Sequence, residues 1–282
     1  MSGHTVARGN ALTYSDAVAM LRERNRPSGG IRTVHTVARD CFVSPTTHVL
    51  EIGSTTGFTA VNLSLLTSCR VTGVDINLAA VQEARRYAVE MGVQSRTLFL
   101  QGSATALPFL AEYYDLVWAS NVSSFIADKN RALGEYVRVL RVGGYLVAIP
   151  IYYRHTPPPE LLAEVADAIG QPIRILTKSG WLAHFQQLTH TRWPLELISD
   201  EDFEYIDESD RIDAFCDLQL RKQHLSTLAE SSRAHLATAY RAYLSLFNRN
   251  LRYCGFSILV FQRRCCQDEV ELFRVAKSAQ NH

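Results

Sequence analysis

The sequence contains no apolar stretch long enough to cross a membrane as a helix. Its longest apolar runs, such as residues 255–261, fall well short of the roughly 18 residues that a spanning helix needs. Residues 1–4 carry none of the apolar character of a secretory signal. We therefore expect no targeting segment, no membrane association and a cytoplasmic location.

A dominant charge and a cysteine motif are missing as well. The formal net charge is +1, so no overall field recruits nucleic acid or an anionic membrane. No C-x-x-C spacing occurs among the six cysteines, which favours scattered reduced thiols over a disulfide framework. Cys265 and Cys266 form an adjacent pair, but neighbours on a strand point apart. We assign no metal.

What is present is typical of a globular protein with one catalytic domain and an elaboration. The 282 residues are 47% hydrophobic and 20% charged. Helical spacing is found over residues 14–24 and 31–42, and strand and helix patterns alternate from His48 onwards. The alternation predicts an α/β fold with a parallel sheet and helices on both faces. We expect strands at 48–53, 70–75, 97–101, 114–120 and 144–151, and helices at 57–67, 77–91, 128–140 and 159–169.

Beyond residue 150 the pattern is less regular. We expect a helix over 179–190, a strand over 193–198, helices over 208–225 and 227–247, and a closing strand over 252–261. Gly143 and Gly144 are predicted to end the helix before the fifth strand. The eight acidic residues between Asp200 and Asp213 are predicted to form a solvated turn and the start of a helix.

The most informative segment is a buried strand that runs into a turn with two glycines and then into a helix. Gly53 and Gly57 bracket this turn, where absent side chains allow close backbone approach. Glu51 ends the strand, and Asp75 ends the next one. Because the carboxyl ends of parallel strands share one edge of the sheet, these features predict a nucleoside-binding crevice there.

The pattern Glu51-x-Gly53-x-x-x-Gly57 followed by Asp75 resembles motifs I and II of the class I S-adenosylmethionine-dependent methyltransferases. The dinucleotide fingerprint G-x-G-x-x-G does not fit, because Thr55 stands two residues after Gly53. The resemblance implies a Rossmann-like, mostly parallel seven-stranded sheet whose last strand runs antiparallel beside the fifth. It also implies S-adenosylmethionine as cofactor and S-adenosylhomocysteine as product.

The same resemblance divides the chain into four segments. Residues 1–43 would form an N-terminal helical lid and residues 44–206 the cofactor-binding α/β core. Residues 207–250 would be a helical insertion, which in this family commonly forms a lid or a contact with a second copy or partner protein. Residues 251–282 would form the closing strand and tail.

The resemblance also suggests how the cofactor is held. Asp75 would accept both ribose hydroxyls, or else be a solvent-facing acid at a strand end. Glu51 would orient the methionine amine or hydrogen-bond the turn, and Asn77 is expected to cap the next helix. Thr55, where the family has glycine, either narrows the pocket or turns its hydroxyl towards the cofactor's carboxylate. The remaining expected cofactor contacts are the backbone of Gly53, Ser54 and Gly57, and Ile76, Ala104 and Asn121.

Ser103 is a second departure from the family pattern. The segment Gly102-Ser103-Ala104 matches a family segment, usually G-D-A, whose acid meets the adenine amino group. A serine hydroxyl can accept one hydrogen bond there, although more weakly than a charged carboxylate oxygen.

Residues for the reaction itself follow from the ends of the fourth and fifth strands, where active-site groups of open α/β sheets gather. Asn121 is the best polar candidate, with a turn-forming role as its alternative. Tyr152 and Tyr153 alternate in direction, so at least one is expected to face the pocket, with a packing role as the alternative for either. His155 is either a general base or simply exposed. The candidate substrate contacts are Arg26, Ser123 and Phe125.

Methyl transfer from a sulfonium depends mainly on positioning, so no nucleophilic residue of the enzyme is obligatory. The leading hypothesis is a methyltransferase that acts on a small metabolite in a biosynthetic pathway. Because Thr55 and Ser103 both depart from the family pattern, the alternative is the same fold used for cyclisation, elimination or intramolecular displacement. A non-catalytic partner subunit is the third possibility.

Overall fold

The computed structural model describes residues 12–170, 172–173, 176–187 and 194–264. The strands in these ranges are β1 (His48–Ile52), β2 (Arg70–Asp75), β3 (Thr97–Gln101), β4 (Tyr114–Ala119), β5 (Leu140–Ala148), β6 (Ile151–Tyr153), β7 (Leu195–Glu204) and β8 (Cys254–Arg263). The helices are α1 (Tyr14–Met20), α2 (Ile31–Asp40), α3 (Phe58–Thr67), α4 (Leu78–Glu90), α5 (Lys129–Val139), α6 (Pro159–Ile169), α7 (Lys178–Gln186), α8 (Ile212–Leu220) and α9 (Glu230–Leu251). Short 3-10 helices cover Asn121–Phe125, Ser209–Arg211 and Gln223–Thr227.

The strands form one mixed sheet that confirms the predicted α/β architecture. Strands β3, β2, β1, β4 and β5 lie side by side and run parallel. Strand β8 runs antiparallel beside β5, as the family resemblance implied, and β7 pairs with β8. The sheet has eight segments instead of the expected seven, because a break at residues 149–150 separates β5 from β6, and both pair with β8.

Alternation along the strands divides the core into two layers. On one face, Val49, Leu116 and Val147 pack with helices α2, α3 and α4. On the other face, Leu50 and Val117 pack with α5 and α7. Burying both faces explains why the parallel strands are almost continuously apolar in sequence.

A separate hydrophobic cluster joins the first helix to the helical insertion. Ala17 of α1 and Leu21, the C-cap of α1, pack with Cys216 of α8 and with Leu236 and Tyr240 of α9. Helix α2, by contrast, packs in the main core against α3. The first helix is therefore part of the same packing unit as the helical insertion, and we call the two together the α1–α9 cap.

The prediction for Gly143 and Gly144 was wrong. Helix α5 ends at Val139, and both glycines lie inside β5 at a bulge between β4 and β5. A side chain on Gly144 would place its Cβ 2.8 Å from the carbonyl oxygen of Asp115. The glycines allow the bulge to form and do not terminate the helix.

The prediction for the acidic stretch was wrong in its first half. Asp200, Glu201, Asp202 and Glu204 belong to β7, which pairs only with β8 among the described residues. Lys178 lies 2.8 Å from Asp200 and 2.6 Å from Asp202 and offsets part of their charge. Charged side chains are common on edge strands, because they discourage pairing with another chain.

Four of the cysteines are free and buried: Cys41, Cys69, Cys216 and Cys254. Cys265 and Cys266 lie outside the described residues, and so does Trp193 at the start of the strand expected over 193–198. No helix in the described part of the chain is long and apolar enough to cross a membrane.

The turn after β1 provides a test of close packing. Gly57 has φ +82°, and an added Cβ would lie 2.9 Å from Cβ of Ala84, whereas Gly92 has φ +70° and open space around it. We expect Gly57→Ala to lower the free energy of unfolding by about 1–3 kcal/mol more than Gly92→Ala, because only the first substitution adds a clash to the backbone strain. Urea denaturation of both variants measures this difference. Equal losses would show that the packing of α3 on α4 tolerates a methyl group.

Candidate functional site

The turn after β1 is folded against the end of β2 by backbone hydrogen bonds. The amides of Gly53 and Ser54 donate to the carbonyl of Val74 over 2.8 and 3.1 Å, and the amide of Gly57 donates to the carbonyl of Ser54 over 2.8 Å. These amides are consequently bonded within the turn. The sequence suggested that they would serve as donors to a ligand, whereas the structure shows that they fix the shape of the loop.

Asp75 connects this turn to the next helix. Its Oδ2 accepts the amide of Thr55 over 2.9 Å, and its Oδ1 accepts the amide of Asn77 over 2.9 Å. The side chain is only 8% exposed, and burial raises the pKa of its carboxyl although the backbone amides oppose this shift. Each carboxylate oxygen has a second acceptor direction, so Asp75 can hold the turn and still accept hydroxyl groups.

Thr55 has the backbone conformation that glycine adopts most easily. Its φ is +42°, in the left-handed region, as are those of Gly53 and Gly57. A β-branched residue is rare in this region. Thr55 thus keeps the left-handed turn that favours glycine, and its departure from the family pattern adds a partly buried side chain to that turn.

Glu51 lies beneath the turn at the start of α3. It accepts hydrogen bonds from the amide of Ala60, over 3.1 Å, and from the Thr59 hydroxyl. Burial raises the pKa of Glu51 to about 8 despite these hydrogen bonds, and repulsion from Asp75 adds to the shift. Of the two roles that the sequence left open, the contacts support the hydrogen bond to the backbone after the turn.

Asn77 caps α4, as predicted. Its Oδ1 accepts the amide of Ala80 over 3.1 Å. Its side-chain amide also donates to Asp16 of α1 over 3.0 Å. The cap of α4 therefore connects the edge of the site to the N-terminal helix.

The expected adenine side contains one apolar residue and one locally bonded serine. Ile76 follows Asp75 and is 76% exposed, which leaves an apolar surface beside the turn. The Ser103 hydroxyl lies 2.9 Å from the Thr105 hydroxyl and accepts the Thr105 amide over 3.3 Å. Ala104, next to Ser103, packs against the core below. The serine thus forms a local turn and retains acceptor capacity.

Asn121 acts as a structural link in this structure. It accepts the Ser124 hydroxyl over 2.7 Å and the amide of Ile151 over 3.4 Å, so it joins the 3-10 helix after β4 to β6. A Cβ on Gly53 would lie 2.7 Å from Val122, which places this 3-10 helix against the turn after β1. Ser123 is buried, and Phe125 is exposed. Ser123 is therefore inaccessible to a substrate, whereas Phe125 is accessible.

The tyrosines of β6 hold elements together. Tyr152 is 6% exposed and lies within hydrogen-bond distance of Asp202, at 3.2 Å, and of the Ser257 hydroxyl, at 3.1 Å. Tyr153 donates to Asn250 of α9 over 2.9 Å, and burial raises its pKa to about 12. The contacts of Tyr152 correspond to a packing role in the core. His155 is exposed, and its backbone amide donates to the carbonyl of Tyr253.

The N-terminal segment is hydrogen-bonded to the turn, which the sequence did not predict. The Thr56 hydroxyl accepts the amide of Asn25 over 3.1 Å and donates to the carbonyl of Glu23 over 2.5 Å. Arg26, a predicted substrate contact, is exposed and lies 5.5 Å from the ring centre of Phe58. These two hydrogen bonds join residues that are separated by 31 and 33 positions in the chain, and no local pattern predicts contacts over such separations.

Glu23 extends this attachment to the α1–α9 cap. The hydroxyl of Tyr240 donates to the Glu23 carboxyl, and burial raises the pKa of Glu23 above its ordinary range. A continuous path of hydrogen bonds thus runs from the turn through Thr56 and Glu23 to α9. The position of the cap and the shape of the turn are physically coupled.

Comparison with known proteins agrees with this geometry. The model of a family described as a methyltransferase domain matches residues 50–148, from β1 to the end of β5. Residues 50–148 thus match a methyltransferase domain, in agreement with the resemblance to the class I S-adenosylmethionine-dependent methyltransferases. The matched segment contains Glu51, the turn, Asp75 and Asn121.

Relatives of this methyltransferase domain include proteins named for small-molecule chemistry. The chain is 26% identical over 235 residues to (+)-O-methylkolavelool synthase of Herpetosiphon aurantiacus, which covers 81% of this chain and 77% of the relative. It is 31% identical over 160 residues to the ubiquinone/menaquinone biosynthesis C-methyltransferase UbiE of Marinomonas sp., which covers 55% of this chain and 61% of that protein. Across four curated relatives, the chain spans 47–77% of their length.

A solved structure shares the fold over most of the chain. The [4+2]-cyclase SpnF superimposes with a TM-score of 0.60 at 21% identity, covering 83% of this chain and 81% of that one. At this identity the likeness concerns the fold.

The left-handed conformation of Thr55 leads to a prediction. We expect Thr55→Gly to raise the free energy of unfolding by about 0.5–1 kcal/mol, because relief of a conformation that costs roughly 1–2 kcal/mol outweighs the added entropy of the unfolded chain. Ser68→Gly, at the left-handed residue that ends α3, is the matched control and should give a similar gain. Urea denaturation measures both. A loss of stability in Thr55→Gly alone would show that the threonine side chain stabilises the turn.

The raised pKa of Glu51 predicts a pH dependence of stability. Between the ordinary value of 4.5 and about 8, the folded protein retains a proton that the unfolded chain has released. Stability from this group is complete below about pH 4.5 and declines as the pH rises to about 8, by at most about 1.4 kcal/mol per pH unit. We expect Glu51→Gln to flatten this decline in urea denaturation, whereas Glu230→Gln on the surface should not. If stability declined with pH in Glu51→Gln as steeply as in the wild type, Glu51 would not be the group responsible for the decline.

Proposed function

We propose that this chain binds S-adenosylmethionine at the edge of the sheet formed by the turn and Asp75, and methylates a small metabolite. The observation that carries the proposal is the double hydrogen bond of Asp75 to the amides of Thr55 and Asn77. It fixes a buried carboxylate at the carboxyl ends of β1 and β2, where open α/β sheets bind nucleosides. The match to a methyltransferase domain supports the same cofactor.

Several residues fit the parts of the cofactor. Asp75 would accept the ribose hydroxyls through its remaining acceptor directions. Ile76 offers exposed apolar surface to the adenine ring, and Ser103 retains acceptor capacity for the adenine amino group. Gly53 and Gly57 leave room for close approach, and Thr55 limits that room with its side chain.

When bound, the cofactor supplies an electrophilic methyl group on a sulfonium. Displacement would form a bond from the acceptor atom to the methyl carbon, break the sulfur–carbon bond and leave S-adenosylhomocysteine, while a protic acceptor would lose its proton. The contribution of this chain is positioning and exclusion of water. The α1–α9 cap, which is attached to the turn through Thr56 and Glu23, is proposed to act as the lid.

The substrate class is supported by names among the relatives. The Herpetosiphon and Marinomonas proteins are named for an O-methylated product and for C-methylation in quinone biosynthesis. Phe125, exposed after β4, gives the carboxyl edge an apolar side chain. We therefore propose a compact and largely apolar acceptor.

A second candidate function is supported by one observation. The [4+2]-cyclase SpnF shares this fold, and Thr55 and Ser103 both depart from the methyltransferase pattern. In that case the pocket would enclose a substrate for an intramolecular reaction without methyl transfer. This alternative would be favoured if the protein binds S-adenosylhomocysteine but transfers a methyl group to none of a panel of apolar alcohols and quinols.

Calorimetric titration with S-adenosylhomocysteine tests the cofactor site. We expect binding by the wild type and a loss of at least about tenfold in affinity in Asp75→Asn, because hydrogen bonds to a charged acceptor contribute about 1.5–3 kcal/mol. Asp115→Asn is the matched control: Asp115 also accepts a backbone amide, that of His48 over 2.6 Å, but lies at the opposite edge of the sheet. It should leave the affinity unchanged.

Two results would contradict this proposal. One is that neither S-adenosylmethionine nor S-adenosylhomocysteine binds at millimolar concentration to a folded wild-type protein. The other is that Asp75→Asn and Asp115→Asn lose affinity equally, which would mean that the effect is one of general stability.

A further inference from the structure

An open cavity of about 340 Å³ lies where the N-terminal segment, α4 and the insertion meet. It is lined by Arg22, Arg24, Arg86, Glu90, Lys222 and His224. Along α4, Arg86 is nine residues beyond Asn77, which at 1.5 Å per residue is about 14 Å from the cap beside Asp75. None of the residues proposed to hold the cofactor is among those that line the cavity.

A buried carboxylate organises the arginines of this cavity. Glu83 is 7% exposed and lies 2.7 Å from Nη1 of Arg24, 2.6 Å from Nη2 of Arg86 and 3.6 Å from Nε of Arg22. Burial alone would raise the pKa of Glu83, but the hydrogen bonds from Arg86 and Arg24 hold it below its usual range. Tyr87 also lies 3.8 Å below the guanidinium of Arg24. The guanidiniums are thus held in place before any ligand arrives.

Cations outnumber carboxylates around this cavity. Three arginines and Lys222 face Glu83 and Glu90, and Glu23 is a third carboxyl group close to Lys222, which leaves a surplus of one positive charge. Lys222 donates to the carbonyls of Leu21 and Arg22 over 2.7 and 2.9 Å. Burial and the charge of Arg24 lower the pKa of Lys222, as expected for a cation in a positive potential.

We propose that this cavity binds the phosphate or diphosphate group of a small molecule. A guanidinium carries five N–H donors in a planar fork that matches phosphate oxygens, and Glu83 occupies only part of the donors of three such groups. Glu90, which is 51% exposed, lies 3.1 Å from both Arg24 and Arg86. Its carboxylate competes with an incoming anion for the same donors.

The location gives the binding a structural consequence. Arg22 and Arg24 belong to the N-terminal segment, Arg86 to α4, and Lys222 and His224 to the insertion. An anion bound by residues of all three segments would strengthen the contact between the α1–α9 cap and the core. The proposal does not depend on methyl transfer, because it concerns a different set of residues.

Titration calorimetry of the full chain with pyrophosphate tests this proposal through two opposite effects. We expect binding that weakens by about tenfold or more in Arg22→Gln, because a charged donor is lost, and that tightens in Glu90→Gln, because a competing carboxylate is removed. Arg39→Gln removes one positive charge from α2, where Arg39 is exposed and paired with Asp40, and should leave the affinity unchanged.

The opposite directions keep the test decisive even if one variant folds poorly. Tightening in Glu90→Gln supports the site independently of Arg22. The proposal is overturned if pyrophosphate does not bind at millimolar concentration, or if neither Arg22→Gln nor Glu90→Gln differs from Arg39→Gln. It is also overturned if saturating S-adenosylhomocysteine displaces pyrophosphate, because the anion would then occupy the cofactor site.

Discussion

The hydrogen bonds from two backbone amides to the carboxylate of Asp75 determine the arrangement of the candidate site. They connect the turn after β1 to Asn77, the N-cap of α4, and keep the carboxylate at a buried position. A turn tied in this way must pass through left-handed conformations at Gly53, Thr55 and Gly57. The shape of the site is therefore set within the protein, before any ligand binds.

The α1–α9 cap depends on the same turn. Thr56 lies next to Thr55 and is bonded to the backbone of Glu23 and Asn25, and the side chain of Glu23 is bonded to Tyr240 of α9. Segments from the beginning and the end of the chain thus meet on one loop of the core. Because small shifts of packed elements are transmitted through such contacts, the cap and the turn are expected to respond together to a ligand.

The sequence was sufficient to predict the first four strands of the sheet but not the contacts between residues that are distant in the chain. Apolar runs predicted β1 to β4 to within one residue, because burial on both faces leaves a continuous signal. The bulge at Gly144 and the strand through Asp200 were not predicted, because both depend on which strand lies beside them. Asp75 was identified by its spacing, whereas the contact of Thr56 with Glu23 was not, because nothing local encodes it.

A crystal structure of the complex with S-adenosylhomocysteine tests the central claim most directly. We expect the ribose hydroxyls to lie within hydrogen-bond distance of the Asp75 carboxylate. Thr55 should keep its left-handed conformation, and both amide hydrogen bonds to Asp75 should be retained. A nucleoside bound away from Asp75, or a turn that releases Asp75 to admit the ligand, would contradict it.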